Sequence, residues 1–396
     1  MKPQEILAQI EPLLPHVLEV RHELHRHPEL SGQEHGTRGR ILCELEALGI
    51  PVRCFEGCCS LMGTLENGEG PCIAIRADMD ALPIREATGL PFASENPGVM
   101  HACGHDVHMA LALGSAAWFA AHRDLWRGTV RWLFESEEET VGGGQRMVAQ
   151  GCMRGPKVDC VIGQHMNPNY PMGTFYSCPG FNSGASDELR LTVRGSACHG
   201  AYPQRGADAI VAAAQVISAL QTLVSRNLNP FEPAVVTFGT IEGGTANNIV
   251  CGEVRLTGTL RTLKPETRTL LRERLRVCAE GVAAGLGCTA EMEILPSYGP
   301  VYNDPALYET VAGCARELLG ADRMVLQPAP SLGVESFSYF LQETPGVYYD
   351  LGSGIGTALH TDTFCVDEAV IPLGITLQCA AVLRLQEQFQ SGGSPV

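Results

Sequence analysis

The stretch from Met100 to His108 brings three histidines, one cysteine and one aspartate into nine positions. A cysteine thiolate and neutral imidazoles are ligands that suit Zn, Co, Ni or Mn ions, and they do not suit a Ca or Mg cage. One glycine separates Cys103 from His105 and allows the backbone to turn tightly there. The same residues also fit a helix entry with a buried thiol and solvated imidazoles, so ligands elsewhere in the chain must decide.

Further metal-ligating side chains follow apolar stretches. Thr129 to Phe134 is typical of a strand and leads into the acidic run Glu135 to Glu139, which precedes a run of glycines. Val158 to Gly163 is also strand-like and leads to His165, and His360 lies in the loop before the final helix. The candidates collected in this way are Cys103, His105, Glu138, Glu139, His165 and His360. They exceed the needs of one ion, which favours a second ion or a general base beside the first.

The acidic run has a plainer interpretation as a solvated loop in a chain with 44 acidic residues. Its position between an apolar strand and a run of glycines favours a functional role for the acidic run. Neighbouring residues point apart, so one glutamate could bind metal while the other faces a water molecule.

Asp78 and Asp80 follow another apolar strand and could belong to the same site or cap a turn. His25 and His27 are interpreted as structural, because they flank a rigid turn without a nearby thiol or carboxylate at ligand spacing.

The order of strand and helix patterns around these residues predicts an α/β fold, in which helices pack around a mixed sheet. An apolar, alanine-rich run from Val107 to His122 predicts a helix, with Cys103 and His105 in the loop that enters it. Alternating strand and helix patterns place ligands at the carboxyl ends of strands. Short strands are expected over Val52 to Phe55, Leu61 to Glu66 and Cys72 to Ala77.

The pattern changes near residue 184. The order there becomes β-α-β-β-α-β, which is the signature of a ferredoxin-like domain. Its predicted elements are Leu189 to Val193, Ala207 to Ser225, Ala234 to Ile241, Val250 to Leu260, Pro265 to Ala284 and Ala290 to Leu295. We therefore predict a catalytic domain formed by residues 1–183 and 297–396, interrupted by an inserted domain over 184–296.

Composition narrows the class of protein. The net charge of −16 argues against nucleic-acid binding, and no uninterrupted apolar run of about 18 residues predicts a membrane span. The N-terminus lacks the pattern of a secretory signal, so a cytoplasmic protein is expected. The 16 cysteines are mostly scattered singly through apolar stretches, which favours reduced core thiols over a disulfide framework.

Taken in order, these motifs resemble the amidohydrolase branch of the two-metal aminoacylase and carboxypeptidase superfamily. That branch includes N-acyl-amino-acid amidohydrolases, hippurate hydrolases, N-acetyldiaminopimelate deacetylases and auxin-conjugate hydrolases. The resemblance runs nearly end to end. It rests on Leu24 to Ser31, Ile75 to Ile84, Met100 to His108, Glu138-Glu139, Gln164 to Met166, Gly243 to Asn247 and His360.

The resemblance implies two divalent metal ions per subunit, with Mn, Zn, Co or Ni as candidates. The implied ligands are Cys103, His105, Glu139, His165 and His360. Glu138 would be the general base, taking a proton from the attacking water and passing it to the leaving amine. His101 and His108 are not expected to be ligands, and Asp106 is expected to support the site from outside the ligand shell.

The resemblance also assigns roles to the inserted domain, which would be a lid and dimerisation domain of a homodimer. His199 matches a lid histidine that reaches the partner subunit's active site and helps to hold the tetrahedral oxyanion. Asn247 and Arg261 match lid positions expected to orient the substrate carboxylate or amide, and an arginine can hold a carboxylate through two hydrogen bonds.

The chain departs from the family pattern near the expected pocket. Gln-Pro-Ala usually precedes the two glutamates, whereas this chain has Glu135 to Glu137, which leaves the base and ligand assignment open to a shift of one residue. The usual Ser-Glu-Asp-Phe is here Val334 to Phe337, with Ser336 in place of aspartate, and Thr361-Asp362 replaces Ser-Pro. No expected ligand is missing, so the departures concern substrate choice more than reaction type.

The sequence thus predicts a metal-dependent hydrolase of the amide bond in N-acyl amino acids or related amides. A dipeptidase or carboxypeptidase on the same scaffold is the enzymatic alternative. A metal-binding or ligand-binding homologue that has lost activity is the other, because fold alone does not give function. The complete ligand set and the presence of Glu138 argue against the inactive homologue.

Overall fold

The structure, a computed structural model, describes residues 1–354 and 356–392. The α-helices of these residues are α1 Pro3–Ile10, α2 Leu14–Arg26, α3 His35–Ala47, α4 His105–Ala121, α5 Gly144–Ala149, α6 Ala209–Asn227, α7 Pro265–Gly285, α8 Pro305–Leu319 and α9 Val370–Gln390. Their strands are β1 Val52–Cys54, β2 Leu61–Asn67, β3 Cys72–Asp78, β4 Gly128–Glu135, β5 Cys160–Asn167, β6 Phe175–Ser177, β7 Gly180–Ser183, β8 Ala185–Arg194, β9 Cys198–His199, β10 Ala234–Gly243, β11 Ile249–Val250, β12 Glu253–Thr262, β13 Thr289–Pro296, β14 Val301–Asn303, β15 Met324–Leu326 and β16 Gly346–Gly352.

The chain divides into two units, each with its own hydrophobic core. The first unit contains Met1–Asn182, Val301–Ala329 and the described residues from Ser336 onward. The second contains Ser183–Pro300 and Pro330–Glu335.

The first unit is built on an eight-stranded mixed sheet in the order β1-β2-β4-β3-β5-β16-β6-β15. Strands β4, β3, β5 and β16 run parallel to one another in the middle of this sheet, whereas β2 beside β4 and β6 beside β16 are antiparallel. Every residue of β3 and β4 is buried, as expected for central strands covered on both faces. Helices α4 and α9 pack together and contribute many of the buried apolar side chains of this core. The predicted α/β class with a mixed sheet is confirmed.

Parallel pairing gathers polar residues at the carboxyl ends of the central strands. Asp78, the last residue of β3, is in register with Glu135, the last residue of β4. On the next strand pair, His165 of β5 is in register with Asp350 of β16. The motifs that follow the apolar runs in the sequence therefore meet at one edge of this sheet.

The start of α4 differs from the prediction. The helix begins at His105 rather than Val107, so His105 is the first helical residue and only Cys103 lies in the preceding loop. Gly104 adopts a left-handed conformation with φ of 87°, which allows the chain to turn just before the helix. The ring of His105 is fixed at this point by a hydrogen bond to the carbonyl oxygen of Asp80, 2.9 Å away.

The second unit contains a four-stranded antiparallel sheet in the order β10-β12-β8-β13. Along the chain, helix α6 comes between β8 and β10, and helix α7 comes between β12 and β13. The predicted strand Val250 to Leu260 is wrong at its beginning. Ile249–Val250 pairs instead with Cys198–His199, and the sheet strand begins at Glu253, beyond Gly252.

Helix α6 is long and apolar enough to cross a bilayer by length and composition alone, and 33% of its apolar window is buried. Its buried residues, Ala209, Ala212, Ala213, Val216, Leu220 and Leu223, belong to the core of the second unit. A helix that packs on a sheet passes the same test, so this single helix is only a weak indication of a span.

Candidate metal centre

Five of the sequence candidates lie together in the first unit. The Sγ atom of Cys103 is 3.4 Å from Nε2 of His165. Nε2 of His360 is 3.2 Å from Oε1 of Glu139, and Nε2 of His105 is 4.0 Å from the same oxygen. The fold thus brings together the entry to α4, strand β5, the loop after β4 and the loop before α9.

These side chains form overlapping groups whose ligand atoms lie within 4.8 Å of one another. The groups are Cys103 with His105 and His165, Cys103 with Glu139 and His360, and His105 with Glu138 and Glu139. Because Cys103, His105 and Glu139 each belong to more than one group, the arrangement suits neighbouring ions that share ligands. Thiolate, imidazole and carboxylate together are suited to Zn, Mn, Co or Ni.

The directions of the ring nitrogens fit metal binding. Nδ1 of His105 donates a hydrogen bond to the Asp80 carbonyl oxygen at 2.9 Å, and Nδ1 of His165 donates one to the Met166 carbonyl oxygen at 2.8 Å. Each hydrogen bond requires a proton on Nδ1, which leaves Nε2 of the ring as the atom that faces the other candidate ligands. Nε2 of His105 is one of the buried polar atoms of the described residues that have no hydrogen-bond partner. Such atoms are costly to bury unless a cation satisfies them, so these residues fit a divalent metal.

Charges within the group favour a thiolate. Burial opposes ionisation of Cys103, but the positive charge of His165, whose Nε2 lies 3.4 Å from the sulfur, holds its thiol pKa well below the usual range. Burial likewise opposes protonation of His165, and the nearby Cys103 charge raises the pKa of His165 to about 10. Burial, followed by the Cys103 charge, raises the pKa of Glu139 to about 7. A cation in the group would relieve the repulsion between these two acidic side chains.

The loop that carries Glu138 and Glu139 is held by carboxylates outside the group. Oδ2 of Asp80 accepts hydrogen bonds from the Glu139 backbone amide at 3.0 Å and from the Ser31 hydroxyl at 2.6 Å. The backbone amide of Glu137 donates to Oε1 of Glu34 at 2.8 Å. Glu137 itself has a positive φ of 62°. Left-handed backbone at a non-glycine residue is uncommon and concentrates at functional sites, which agrees with the position of this loop.

The acidic run divides into residues with different contacts. The carboxylate of Glu135 pairs with Arg76 at 2.7 Å, and that of Glu137 pairs with Arg146. Glu138 and Glu139 are the two that lie in a group with His105. The possible shift of one residue within the run is therefore not favoured by the geometry.

The structure also places residues that the sequence left undecided. Asp78 accepts a hydrogen bond from Nδ1 of His108 at 2.6 Å, and Nε2 of His108 accepts one from the Met166 amide at 2.9 Å. Both ring nitrogens of His108 thus have hydrogen-bond partners, but His108, Asp78 and His105 also form a group whose ligand atoms lie within 4.8 Å of one another. The exclusion of His108 as a ligand therefore stays a prediction. Asp78 and Asp80 support the site rather than cap a turn. Their position at the carboxyl end of a buried strand was the signal available in the sequence.

Asp106 lies in a separate buried ion cluster. Its Oδ2 atom accepts hydrogen bonds from Nε of Arg21 and from Nδ1 of His25, both at 2.8 Å. Nε2 of His25 is 3.2 Å from Glu86. Burial opposes ionisation of Asp106, but the Arg21 charge holds the pKa of this carboxyl well below its usual range. The cluster ties α2 to the first turn of α4, so His25 has a structural contact, as the turn pattern indicated.

The remaining predicted site residues lie in the second unit. His199 is exposed on the short strand β9, opposite Ile249, and its Nδ1 accepts a hydrogen bond from the Ala201 amide at 3.0 Å. Asn247 is exposed, and Arg261 is half-buried on β12. Burial lowers the pKa of Arg261. Their roles toward a substrate stay predictions.

Comparison with known proteins identifies the family. Residues 74–384 match the model of peptidase family M20/M25/M40. The chain is 37% identical over 353 residues to N-acetyl-L-cysteine deacetylase of Bacillus subtilis, covering 89% of this chain and 84% of the relative. It is 34% identical over 382 residues to thermostable carboxypeptidase 2 of Saccharolobus solfataricus, covering 94% of this chain and 96% of the relative.

A solved structure agrees with this match. The YXEP protein of Bacillus subtilis, described as a dinuclear metal binding peptidase from the M20 family, has a TM-score of 0.82 and 31% identity. The similarity covers 94% of this chain and 98% of that protein. The chain belongs to peptidase family M20/M25/M40 and is a metal-dependent hydrolase. The resemblance found in the sequence is confirmed.

Proposed function

We propose that this protein hydrolyses the amide bond of N-acyl amino acids or closely related amides with a pair of divalent ions. The observation that carries the proposal is the convergence of a thiolate, imidazole Nε2 atoms and a carboxylate, beside a second carboxylate that serves as base. The proposed ligands are Cys103, His105, Glu139, His165 and His360, and the proposed ions are Mn, Zn, Co or Ni. Deacetylases among the relatives support the acyl-amino-acid class.

In the proposed mechanism, Glu138 transfers the proton, and the neighbouring candidate ligands hold the metal ions. Bound divalent ions supply Lewis acidity, which polarises a carbonyl group and makes a water molecule more acidic near neutral pH. Glu138 takes the proton from the attacking water as its oxygen bonds to the amide carbon. When the C–N bond breaks, Glu138 passes that proton to the leaving amine. Asp80 keeps the loop in place throughout, through the Glu139 amide.

The second unit is proposed to supply the rest of the site. On the resemblance to the family, we assign it as a ferredoxin-like lid and dimerisation domain over residues 184–296, between catalytic segments 1–183 and 297–396. His199 would stabilise the oxyanion in the active site of the partner subunit, and Asn247 and Arg261 would orient the substrate. The strand and helix order of the second unit is compatible with this assignment.

The substrate class is tested by a hydrolysis screen. Protein stripped with a chelator is reloaded separately with Mn, Zn, Co or Ni, and each form is offered a panel of N-acyl amino acids and dipeptides, with products identified by mass spectrometry. We expect acyl-amino-acid hydrolysis that disappears on chelation and returns with metal. Turnover confined to dipeptides would favour a dipeptidase, and no turnover with any metal would favour an inactive homologue.

The second candidate is a carboxypeptidase. It is supported by the thermostable carboxypeptidase among the relatives. The screen separates the two functions when peptides with a free C-terminal carboxylate are included beside their N-acyl counterparts. A kcat/KM at least about tenfold higher on the peptides, equivalent to about 1.4 kcal/mol in transition-state binding, would favour the carboxypeptidase.

A further inference from the structure

Glu137 is the residue at which the backbone turns just before the proposed general base, Glu138. Its φ of 62° is left-handed backbone, which a non-glycine residue keeps only where surrounding contacts enforce it. The carbonyl oxygen of Glu137 accepts a hydrogen bond from the Gly142 amide at 2.8 Å, and its carboxylate pairs with Arg146. Its amide donates to Oε1 of Glu34 at 2.8 Å. The conformation that leads the chain into Glu138 therefore depends on these contacts.

Glu34 comes from a segment far from this loop in the chain, at the entry to α3. It is the N-cap residue of α3, yet its side chain makes no capping hydrogen bond to that helix. The amides that an N-cap side chain usually satisfies are bound by Glu29 instead, whose carboxylate oxygens accept from Gly36 at 3.0 Å and from Thr37 at 2.8 Å. Glu34 is fully buried, and its carboxylate faces Glu137. Its acceptor thus serves the loop after β4 and not its own helix.

The two neighbours of Glu138 are held by different carboxylates. Oδ2 of Asp80 accepts from the amide of Glu139, a proposed metal ligand, at 3.0 Å. Glu34 holds the amide of Glu137, on the other side of the base. We propose that Glu34 is a positioning residue for Glu138. By holding the Glu137 amide, it fixes the left-handed turn and hence the direction in which the Glu138 side chain leaves the backbone.

The inference rests on the proposed function, in which Glu138 carries the proton, and it separates support of the base from support of the metal ligands. Because Glu139 keeps its contact with Asp80, loss of the Glu34 contact should displace Glu138 without removing a ligand. The Glu137 amide needs an acceptor oxygen at this point and does not need a charge. A glutamine at position 34 should therefore replace the glutamate, whereas a side chain without oxygen should not.

The test compares substitutions of Glu34 in the full-length protein. Glu34→Met keeps the length of the side chain and removes the acceptor, whereas Glu34→Gln keeps one acceptor oxygen. Glu29→Met is the matched control, because it also removes carboxylate contacts to backbone amides, those of Gly36 and Thr37, in the same segment. Hydrogen exchange over residues 136–143 is measured by mass spectrometry on the metal-free proteins. Metal content, kcat and KM on an N-acyl amino acid are measured after reloading with Zn²⁺.

Glu34→Met is expected to lower kcat by about 10-fold to 100-fold, since a displacement of about 1 Å in a reacting group can cost as much. Its metal content should match that of the wild type, and KM should stay within about threefold. The Glu137 amide should exchange at least about tenfold faster, because the turn opens locally without its acceptor.

Glu34→Gln is expected to keep both kcat and exchange within about threefold of the wild type, because the hydrogen bond is retained. Glu29→Met should exchange faster at the beginning of α3, while its kcat stays within about twofold of the wild type. A purely structural role of Glu34 would not produce this separation between the two glutamates.

Three results would overturn the inference: a wild-type kcat in Glu34→Met, a Glu34→Gln variant as slow as Glu34→Met, or an equal loss of kcat in Glu29→Met. If Glu34→Met does not fold, Glu34→Asp decides. Aspartate is a preferred N-cap residue, and its shorter side chain withdraws the carboxylate from Glu137, so kcat should fall at least about fivefold. A wild-type kcat in Glu34→Asp also overturns the inference.

Failure of both Glu34→Met and Glu34→Asp to fold, while Glu29→Met folds, would show that Glu34 serves the fold and would overturn the inference as well. A wild-type protein that hydrolyses no N-acyl amino acid would instead contradict the proposed function. Hydrogen exchange of the metal-free proteins still tests the contact between Glu34 and Glu137 in that case, so the two failures are distinguishable.

Discussion

At the scale of single residues, the candidate centre depends on where lone pairs and protons lie. Backbone carbonyls hold Nδ1–H of His105 and His165, so Nε2 of each ring is the atom available to a metal. Cys103 is held as a thiolate by the positive charge around it. Metal and proton therefore compete for the same imidazole nitrogens, whereas the sulfur is already deprotonated.

Replacing Cys103 with alanine should weaken metal binding more than any other cysteine substitution. We expect Cys103→Ala to lower Co²⁺ affinity by at least about tenfold and to remove the thiolate-to-cobalt absorption band of the loaded protein. Cys314→Ala is the matched control, since Cys314 is also buried, in α8, and burial raises its thiol pKa to about 12. The control should keep the band while losing about 1 kcal/mol of stability. An unchanged band in Cys103→Ala would show that Cys103 is not a ligand.

Metal uptake should release protons. Burial lowers the pKa of His105 and His165, but Asp78 beside the first and Cys103 beside the second raise both pKa values above the usual one, that of His165 to about 10. His165 is therefore protonated near pH 7 before metal binds, so at least about one proton per chain should be released, and the apparent Zn²⁺ affinity should rise with pH. Calorimetry in buffers of different ionisation enthalpy measures the number. No net release near pH 7 would contradict this account of the rings.

The candidate metal ligands could be predicted from the sequence, but the residues that hold their loop in place could not. Cys103 and His105 stood out by spacing, and the carboxylates and remaining histidines followed apolar strands. Asp80 and Glu34 act on the loop through backbone amides of Glu139 and Glu137, contacts between segments far apart in the chain. Such contacts depend on how the segments meet in space, which local periodicity does not specify. His199, Asn247 and Arg261 came from the resemblance alone.

At the scale of elements, the site rests on the packing of α4 against α9. Gly114 faces α9, and a Cβ atom added there would lie 2.5 Å from Cδ1 of Ile375, whose side chain is fully buried. Small residues on α4 therefore allow the close approach of the two helices. Because α4 begins at His105, a shift of this helix would move a candidate ligand as well.

Gly114→Ala should destabilise the protein although alanine favours helices. Overpacking against Ile375 is expected to cost about 1–3 kcal/mol. The matched control is Gly313→Ala in α8, where an added Cβ meets nothing within 4 Å. This control should stabilise the protein by about 0.5–1 kcal/mol. Chemical denaturation of the metal-free proteins measures both, and equal effects at the two positions would contradict the packing argument.

Most elements were predicted from apolar periodicity, because the central strands are continuous apolar runs and the helices are amphipathic or alanine-rich. Helix α8, for example, follows Asp304, whose side chain accepts hydrogen bonds from the Ala306 and Leu307 amides, and has Pro305 as its first residue; both residue types are typical of a helix start. The start of α4 and the break between β11 and β12 were missed. Both depend on a backbone turn at glycine, at Gly104 and Gly252, where pairing with a distant segment decides the outcome.

At the scale of the whole molecule, the proposal requires a homodimer in which each active site uses His199 of the partner subunit. The domain division predicted from the change of pattern near residue 184 supplied this expectation together with the family resemblance. Nothing in the local sequence around His199 distinguishes it from an ordinary loop histidine. The proposed role of His199 therefore depends on how two subunits assemble into a dimer.

Mixing two inactive variants tests the assembly. Glu138→Gln and His199→Ala should each be nearly inactive alone. If subunits exchange at random, the mixture should regain about a quarter of wild-type activity, because half of the dimers are mixed and one of their two sites is intact. Light scattering establishes the dimer. No recovery, despite mixed dimers shown by tagged subunits, would contradict the shared site.

The most direct test of the central claim is the kcat of Glu138→Gln with metal content measured on the same sample. The substitution keeps the size of the side chain and removes its ability to carry a proton. We expect both ions to remain bound and kcat on an N-acyl amino acid to fall by about 10²-fold to 10⁴-fold, the usual contribution of a general base. A near wild-type kcat with unchanged metal content would show that Glu138 does not carry the proton and would contradict the proposed mechanism.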